Sequence, residues 1–371
     1  MSLWVVVGGQ FGSEGKGKIS AFITLQEDID ICVRCGGPNS GHSFVGPKGT
    51  TTLLRQLPTG YVRPRTRLLI AAGALITPQV LKAELDGLGI DPRRVGVDRN
   101  TMVIEDADRQ NEQRLMLRER LSSTLCGVGS AVSRRALCRE DVRLAKDVVS
   151  QYPWMTDLLT DVSAEANEAL DSGKRVLVEG TQGFGLSLYH TAEYPKATSR
   201  DTTAAGFLSE VGLSPRLVSE IVVVFRTFPI RVAGYQAGEL YREVSWEIVR
   251  AESGYPRPIG EFTSVTKTPR RVGRFDWNLA RRAVDVNRPT RLAITGLDYI
   301  DFGSYGLTDL SGLTSRVQLF LCDVDERLGV PVVYASASPR LEHTFVVPTV
   351  IGSEPVTEGG GRRGQLRGHW T

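Results

Sequence analysis

The sequence predicts an α/β fold in which a large and mostly parallel central sheet is flanked by helices. Three observations lead there. Short apolar runs rich in strand-forming residues alternate with helical stretches over most of the 371 residues, the order that a parallel sheet with crossover helices requires. The first run passes straight into a turn rich in glycine and lysine. The composition, 41% hydrophobic and 23% charged, is that of a globular chain long enough to bury a large core.

Strands are expected at Trp4 to Val7, Asp30 to Arg34, Leu68 to Ala72, Val176 to Glu179, Ile221 to Phe225, Leu292 to Thr295 and Val332 to Tyr334. One helix begins at Thr77-Pro78, a cap followed by proline at the first helical position, and sets Val80, Leu81 and Leu85 on one face. Gly87 is expected to end it. A second helix is expected where Met155, Leu158, Leu159, Val162, Ala166 and Leu170 recur at helical spacing, ahead of Gly173 and a basic pair. No internal repeat or clear linker interrupts the chain, so residues 1–350 read as one catalytic unit. The Gly- and Arg-rich remainder, 351–371, holds too little apolar surface to offset its ordering entropy and reads as a flexible tail.

A net charge of +3 is too mild for a general nucleic-acid binder. No apolar run reaches the eighteen or so residues of a membrane span, and the N-terminus shows no signal-peptide pattern. A cytoplasmic protein without nucleic-acid or membrane partners is expected. The five cysteines have no framework spacing, and Cys32-x-x-Cys35 lacks a second pair to complete a zinc site. His190, His343 and His369 read as structural.

The strongest local signal is Gly8-Gly9-Gln10-Phe11-Gly12-Ser13-Glu14-Gly15-Lys16-Gly17-Lys18, directly after the first strand. Glycines there permit tight turns, successive N–H groups can converge on phosphate oxygens, and the lysines add positive charge. It is not a Walker loop: five residues separate Gly9 from Gly15, and Gly17 follows Lys16 where Ser or Thr is required.

The loop resembles the first signature of the adenylosuccinate synthetases, Gln-Trp-Gly-Asp-Glu-Gly-Lys-Gly-Lys, with Phe11 for Trp and Ser13 for Asp. Gly37-Pro38-Asn39-Ser40-Gly41-His42, Val178-Glu179-Gly180-Thr181-Gln182-Gly183, Ala197 to Thr203 and Arg231-Val232 resemble later segments of that family, in order. Val265 to Gly273 occupies the place of its aspartate loop, and Thr295-Gly296-Leu297-Asp298 that of its nucleobase-reading Thr-Lys-Leu-Asp.

The resemblance implies a P-loop-like, NTPase-related fold and a Mg2+-dependent ligase in which a triphosphate phosphorylates the 6-oxo group of a purine nucleotide and the amine of aspartate then displaces phosphate. It assigns the donor's phosphates and base to Ser13, Gly15, Lys16, Gly17, Lys18, Gln182, Gly296, Leu297, Asp298 and Ser338. Ser13, Asn39, Ser123, Thr124, Gln182 and Thr198 would hold the acceptor nucleotide, with Arg139 reaching its phosphate from the second subunit of a homodimer and Arg135 the next candidate. Ser264, Val265, Thr266 and Arg270, joined by Arg271, would bind L-aspartate, whose carboxylates suit a forked guanidinium. Ser13 and Gly41 would bind the metal, and Ser13, His42 and Gln182 would carry the chemistry.

Departures from the family pattern narrow the substrate. Ser13 replaces a carboxylate that takes the N1 proton of inosinate, and a short hydroxyl leaves room for the 2-amino group of guanine. Thr268 stands where bacterial members place an arginine near the ribose 2'-hydroxyl, and Gly296 replaces a lysine that flanks the guanine of GTP. These features resemble the phage branch that makes 2-amino-2'-deoxyadenylosuccinate from deoxyguanylate (dGMP), a diaminopurine DNA precursor, with ATP or dATP as donor. That branch would place the protein in a host cytoplasm. The alternatives are a compact adenylosuccinate synthetase using inosinate (IMP) and GTP, or an inactive nucleotide-binding relative.

Overall fold

A computed structural model describes residues 2–262 and 268–348; the expected tail, His369 and Ser264, Val265 and Thr266 lie outside them. Ten strands form the central sheet: β1 (Ser2–Gly8), β2 (Ile31–Arg34), β3 (Arg67–Ile70), β4 (Val95–Asp98), β5 (Leu159–Thr160), β6 (Arg175–Glu179), β7 (Val218–Arg226), β8 (Arg291–Thr295), β9 (Val332–Ser336) and β10 (Thr344–Val346). Their order is β10-β9-β8-β7-β1-β6-β2-β3-β4-β5. Every pairing is parallel except β9 with β10.

β1 is the middle of this order, and Leu3 to Val7 are almost wholly buried, as a near-continuous apolar run in a doubly covered parallel strand should be. Helices α1 (Lys16–Gln26), α2 (Pro78–Leu88), α3 (Val162–Asp171), α4 (Ala204–Val211), α5 (Trp277–Asn287) and α6 (Ser315–Leu328) follow strands as crossovers or flanking elements. All seven expected strands are present. The three unexpected ones are short, and β4 carries Gly96 and Asp98, residue types that local propensity sets against strands.

Two expectations are corrected. Helix α2 runs through Gly87 and ends at Gly89, whose φ of 59° is left-handed and whose N–H meets the carbonyls of Asp86 and Leu85. The stripe from Met155 to Leu170 is not one helix: a 3-10 segment (Pro153–Leu158) leads into β5 and then α3. Asp161 is the reason, because its side chain accepts from Ala164 N and starts a new helix. The apolar residues of the stripe are buried nonetheless, apart from the half-buried Leu159. Among the described residues no helix is long and apolar enough to cross a membrane.

Candidate functional site

The carboxyl ends of β1, β2, β6, β7, β8 and β9 converge on one edge of the sheet, where parallel α/β folds open their ligand crevices. A cavity of about 810 Å³ lies there. Five of these strands end on a polar residue: Arg34 from β2, Glu179 from β6, Arg226 from β7, Thr295 from β8 and Ser336 from β9.

The loop after β1 is organised around Glu14. This buried carboxylate accepts from the backbone N–H groups of Gln10 (3.1 Å) and Gly12 (2.8 Å) and from Lys16 Nζ (2.5 Å). Gln10 ties the loop to β7, donating to the Arg226 carbonyl and accepting from its N–H, both at 3.0 Å. Gly12 and Gly15 adopt positive φ, as does Ser13 at 58°. Lys18 donates to Ser336 Oγ and the Ser338 carbonyl. Burial lowers the Lys18 ammonium to about 8, against the raising influence of Asp298.

A Cβ on Gly17 would lie 2.4 Å from the Cβ of His42. This contact explains the departure from the Walker pattern, since only glycine lets α1 approach the strand His42–Val45 so closely. His42 Nδ1 is 2.6 Å from Glu179 Oε1, and Glu179 Oε2 accepts from the N–H (2.8 Å) and hydroxyl (2.6 Å) of Thr59. Arg34 Nη1 lies 2.5 Å from Glu179 Oε1. Burial and then the Arg34 charge push the His42 imidazolium down to about 3. For Glu179 burial works upward, but the His42 hydrogen bond and Arg34 outweigh it and bring the carboxyl to about 2. His42 is therefore a neutral imidazole whose Nδ1 is fixed against Glu179 and Arg34, and its Nε2 is buried without a partner among the described residues.

The structure brings most of the expected site residues to this cavity. Ser13, Gly15, Lys16, Gly17, Lys18, Asn39, Gly41, His42, Ser123, Thr124, Gln182, Thr198, Arg270, Gly296, Asp298 and Ser338 all line it. Gln182 Oε1 and the neighbouring Ser199 Oγ are also buried without partners among the described residues. Ser338 Oγ lies 2.6 Å from His343 Nδ1, so that histidine, expected to be merely structural, touches a cavity residue. His190 stacks on Phe184 at 5.9 Å.

Four expected residues fall elsewhere. Leu297 is fully buried in the core and does not line the cavity. Arg139 is exposed on a 3-10 turn away from it, and Arg135 donates to the Ala72 carbonyl at 3.0 Å. Arg271 is tied to Glu243 and to the carbonyls of Gly234 and Gly238, so it is not available beside Arg270 for a substrate carboxylate.

The sequence reading gave no role to Glu14, Arg34, Glu179, Arg226 or Glu261. Arg226 ion-pairs with Glu261, which also accepts from Tyr299 OH at 3.1 Å, and Arg226 Nη1 donates to the Ser13 carbonyl at 3.2 Å. A signal existed for three of these: a charged residue at the end of an otherwise apolar strand run, as at Arg34, Glu179 and Arg226.

For a metal, the oxygen donors of Ser13 and Gly41 belong to cavity-lining residues, and hard oxygen ligands suit Mg2+ alongside phosphate. No group of three or more His, Cys, Asp or Glu side chains that could hold a metal is present among the described residues. The donor set thus fits an ion that arrives with a triphosphate, not one caged by protein alone. Cys32 and Cys35 are free and buried, and burial pushes the Cys32 thiol up to about 12.

The sequence profile of the family described as Adenylosuccinate synthetase matches residues 5–152 and 141–304. The adenylosuccinate synthetase of Thermococcus onnurineus is 40% identical over 349 residues, 93% of this chain and 98% of that protein. That of Methanocaldococcus jannaschii is 40% identical over 349 residues, 92% and 95% respectively. Among solved structures, the fully ligated adenylosuccinate synthetase of Plasmodium falciparum shares the fold at TM-score 0.80, with 20% identity, 94% of this chain and 100% of that one. The succinoaminodeoxyadenylate synthetase of cyanophage S-2L, bound to dGMP and dATP, aligns at TM-score 0.79 and 27% identity over 94% and 96% of the two chains. With the family profile spanning most of its length and a cavity built from the same segments, the chain belongs to the adenylosuccinate synthetase family, ligases that join aspartate to a purine nucleotide.

Proposed function

We propose that this ligase joins L-aspartate to C6 of dGMP with ATP or dATP, giving 2-amino-2'-deoxy-N6-succinyladenylate. Ser13 carries the reading: it lines the cavity where the family carries a carboxylate. Guanine has an amino group at C2 beside N1, and a neutral, short hydroxyl accepts a hydrogen bond there without crowding. The likeness to the cyanophage enzyme solved with dGMP and dATP supports it.

In the proposed reaction the γ-phosphoryl group breaks from the β-phosphate oxygen, releasing the nucleoside diphosphate, and bonds to O6 while N1 gives up its proton to solvent; the aspartate amine then forms the C6–N bond and loses a proton to solvent as the C6–O bond breaks and phosphate leaves. Such chemistry is dominated by positioning and charge stabilisation. Gly15, Lys16, Gly17 and Lys18 hold the donor phosphates; Ser13 and Gly41 would hold Mg2+, which would supply neutralisation of phosphate charge. A phosphate near His42 Nε2 favours the imidazolium, with Glu179 balancing its charge, so that Nε2–H meets the developing charge. Gln182, Asn39, Thr198 and the Ser123-Thr124 pair position the acceptor, Ser264 to Thr266 and Arg270 hold aspartate, and Arg139 acts from a second copy of the chain. Gly296, Asp298 and Ser338 face the donor base.

A second reading has a specific observation behind it. The archaeal relatives at 40% identity are named adenylosuccinate synthetases, which favours IMP and GTP. A purified-protein assay with aspartate and Mg2+, crossing dGMP and IMP with ATP, dATP and GTP and weighing the product, tests both. Product from dGMP with an adenine donor is expected; product from IMP alone overturns the proposal.

A further inference from the structure

Asp298 lies at the donor end of the cavity on a 3-10 turn (Leu297–Tyr299) that begins from Gly296 in a left-handed conformation, φ 76°. It is 3% exposed, and its carboxylate is not free. The hydroxyl of Tyr255 donates to its Oδ2. Tyr255 follows the helix Trp246–Ser253 and is itself buried. Its ring is 4.5 Å from that of Phe302 and 5.8 Å from that of Tyr299. It does not line the cavity.

We propose that Tyr255 sets the donor-base preference of this enzyme: by engaging Oδ2 it leaves Asp298 Oδ1 as the acceptor for a nucleobase, which suits the single amino group on the adenine edge. The inference rests on the donor-site reading of Asp298 above. Guanine presents two adjacent donors, N1–H and the 2-amino group, and a carboxylate meets them best with two unshared oxygens. Adenine presents one amino donor beside N1, an acceptor, so a second carboxylate oxygen gains nothing and repels the N1 lone pair. The tyrosine hydrogen bond also draws charge from the carboxylate, which lessens its pull on a two-donor edge. Gly296 adds no positive group in compensation. Tyr255 thus selects by reaching through Asp298, a specificity-determining role outside the direct contact surface.

Tyr255→Phe keeps the ring in its aromatic cluster and removes only the hydroxyl. Calorimetric titration of the Mg2+ complexes of ATP and GTP into wild type and variant gives the two Kd values without turnover. Wild type is expected to bind ATP more tightly, and the variant to shift the GTP-to-ATP affinity ratio toward GTP by about tenfold, the scale of one hydrogen bond. A wild-type preference for GTP overturns the donor reading and the inference with it. An adenine preference that survives unchanged in a variant still binding ATP overturns the inference alone. Loss of both affinities assigns Tyr255 to packing and overturns it as well, with the melting temperature confirming the cause.

Discussion

The imidazole of His42 and the carboxylate of Glu179 are locked together at 2.6 Å, Nδ1 to Oε1, while Arg34 shares that oxygen and Thr59 holds the other. Removing the charge of Glu179 leaves His42 without a counterion when it takes a proton. Glu179→Gln is expected to lower kcat on the order of 100-fold, the lower range for a displaced acid–base group. Nucleotide KM values should stay within a few-fold of wild type. Steady-state kinetics check this, with circular dichroism confirming the fold, because a buried Arg34 loses its partner in the same variant.

Stability should depend on pH through His42 in a defined window. Its folded value near 3 lies below its ordinary 6.5, so between these limits the unfolded chain binds a proton that the folded one refuses. The contribution is present above pH 6.5 and is lost as pH falls toward 3, by up to about 1.4 kcal/mol per unit. Glu179 adds the same sign only below its ordinary 4.5, down to about 2. Asp298, raised to about 6 by burial, works oppositely: its stabilising share is present below 3.8 and is lost as pH rises through 6. Urea melts from pH 5 to 6.5 should therefore show a steeper rise with pH for wild type than for His42→Gln.

On the proposed function, Ser13→Asp puts a carboxylate beside the acceptor's N1. The ratio of kcat/KM for dGMP over IMP is expected to fall at least about tenfold, the effect of misplacing one polar contact against a substrate edge. Competition between the two nucleotides, read by product mass, checks it.

Arg270 and Arg271 are neighbours with different fates. Arg270 lines the cavity and its guanidinium donates only to the Phe262 carbonyl at 3.2 Å among the bonds of the described residues. Arg270→Ala is expected to raise the KM for aspartate by about 10- to 100-fold, the loss of one charged pair at a binding site. Arg271→Ala should act instead on stability, releasing Glu243 and two carbonyls, and leave that KM within a few-fold. Initial rates across an aspartate series distinguish the two.

The central strands and the loop at Gly8 to Lys18 were legible because apolar runs and glycine–lysine spacing act locally. The fracture of the Met155 to Leu170 stripe was not, because helical spacing is blind to a strand partner: Leu159 and Thr160 pair with Val97 and Asp98. The buried ion pairs of the site were equally hidden. Arg34 and Glu179 are 145 positions apart and Arg226 and Glu261 35, and nothing in either neighbourhood names the other. Arg270 and Arg271 read alike in the sequence, and only the folded chain shows that Glu243 and the Gly234 and Gly238 carbonyls engage Arg271 while Arg270 lines the cavity.

Lys18 reaches across the chain to Ser336 and Ser338, and this link has a consequence for biosynthesis. Until the ribosome has released the segment that ends β9, the first loop lacks the two acceptors that Lys18 uses among the described residues, and the cavity lacks its side at Ser338 and Pro339. A nascent or truncated product ending before residue 336 can carry the glycine loop and His42 in full and still have an unfinished cavity. The crevice is completed by one of the last strands synthesised.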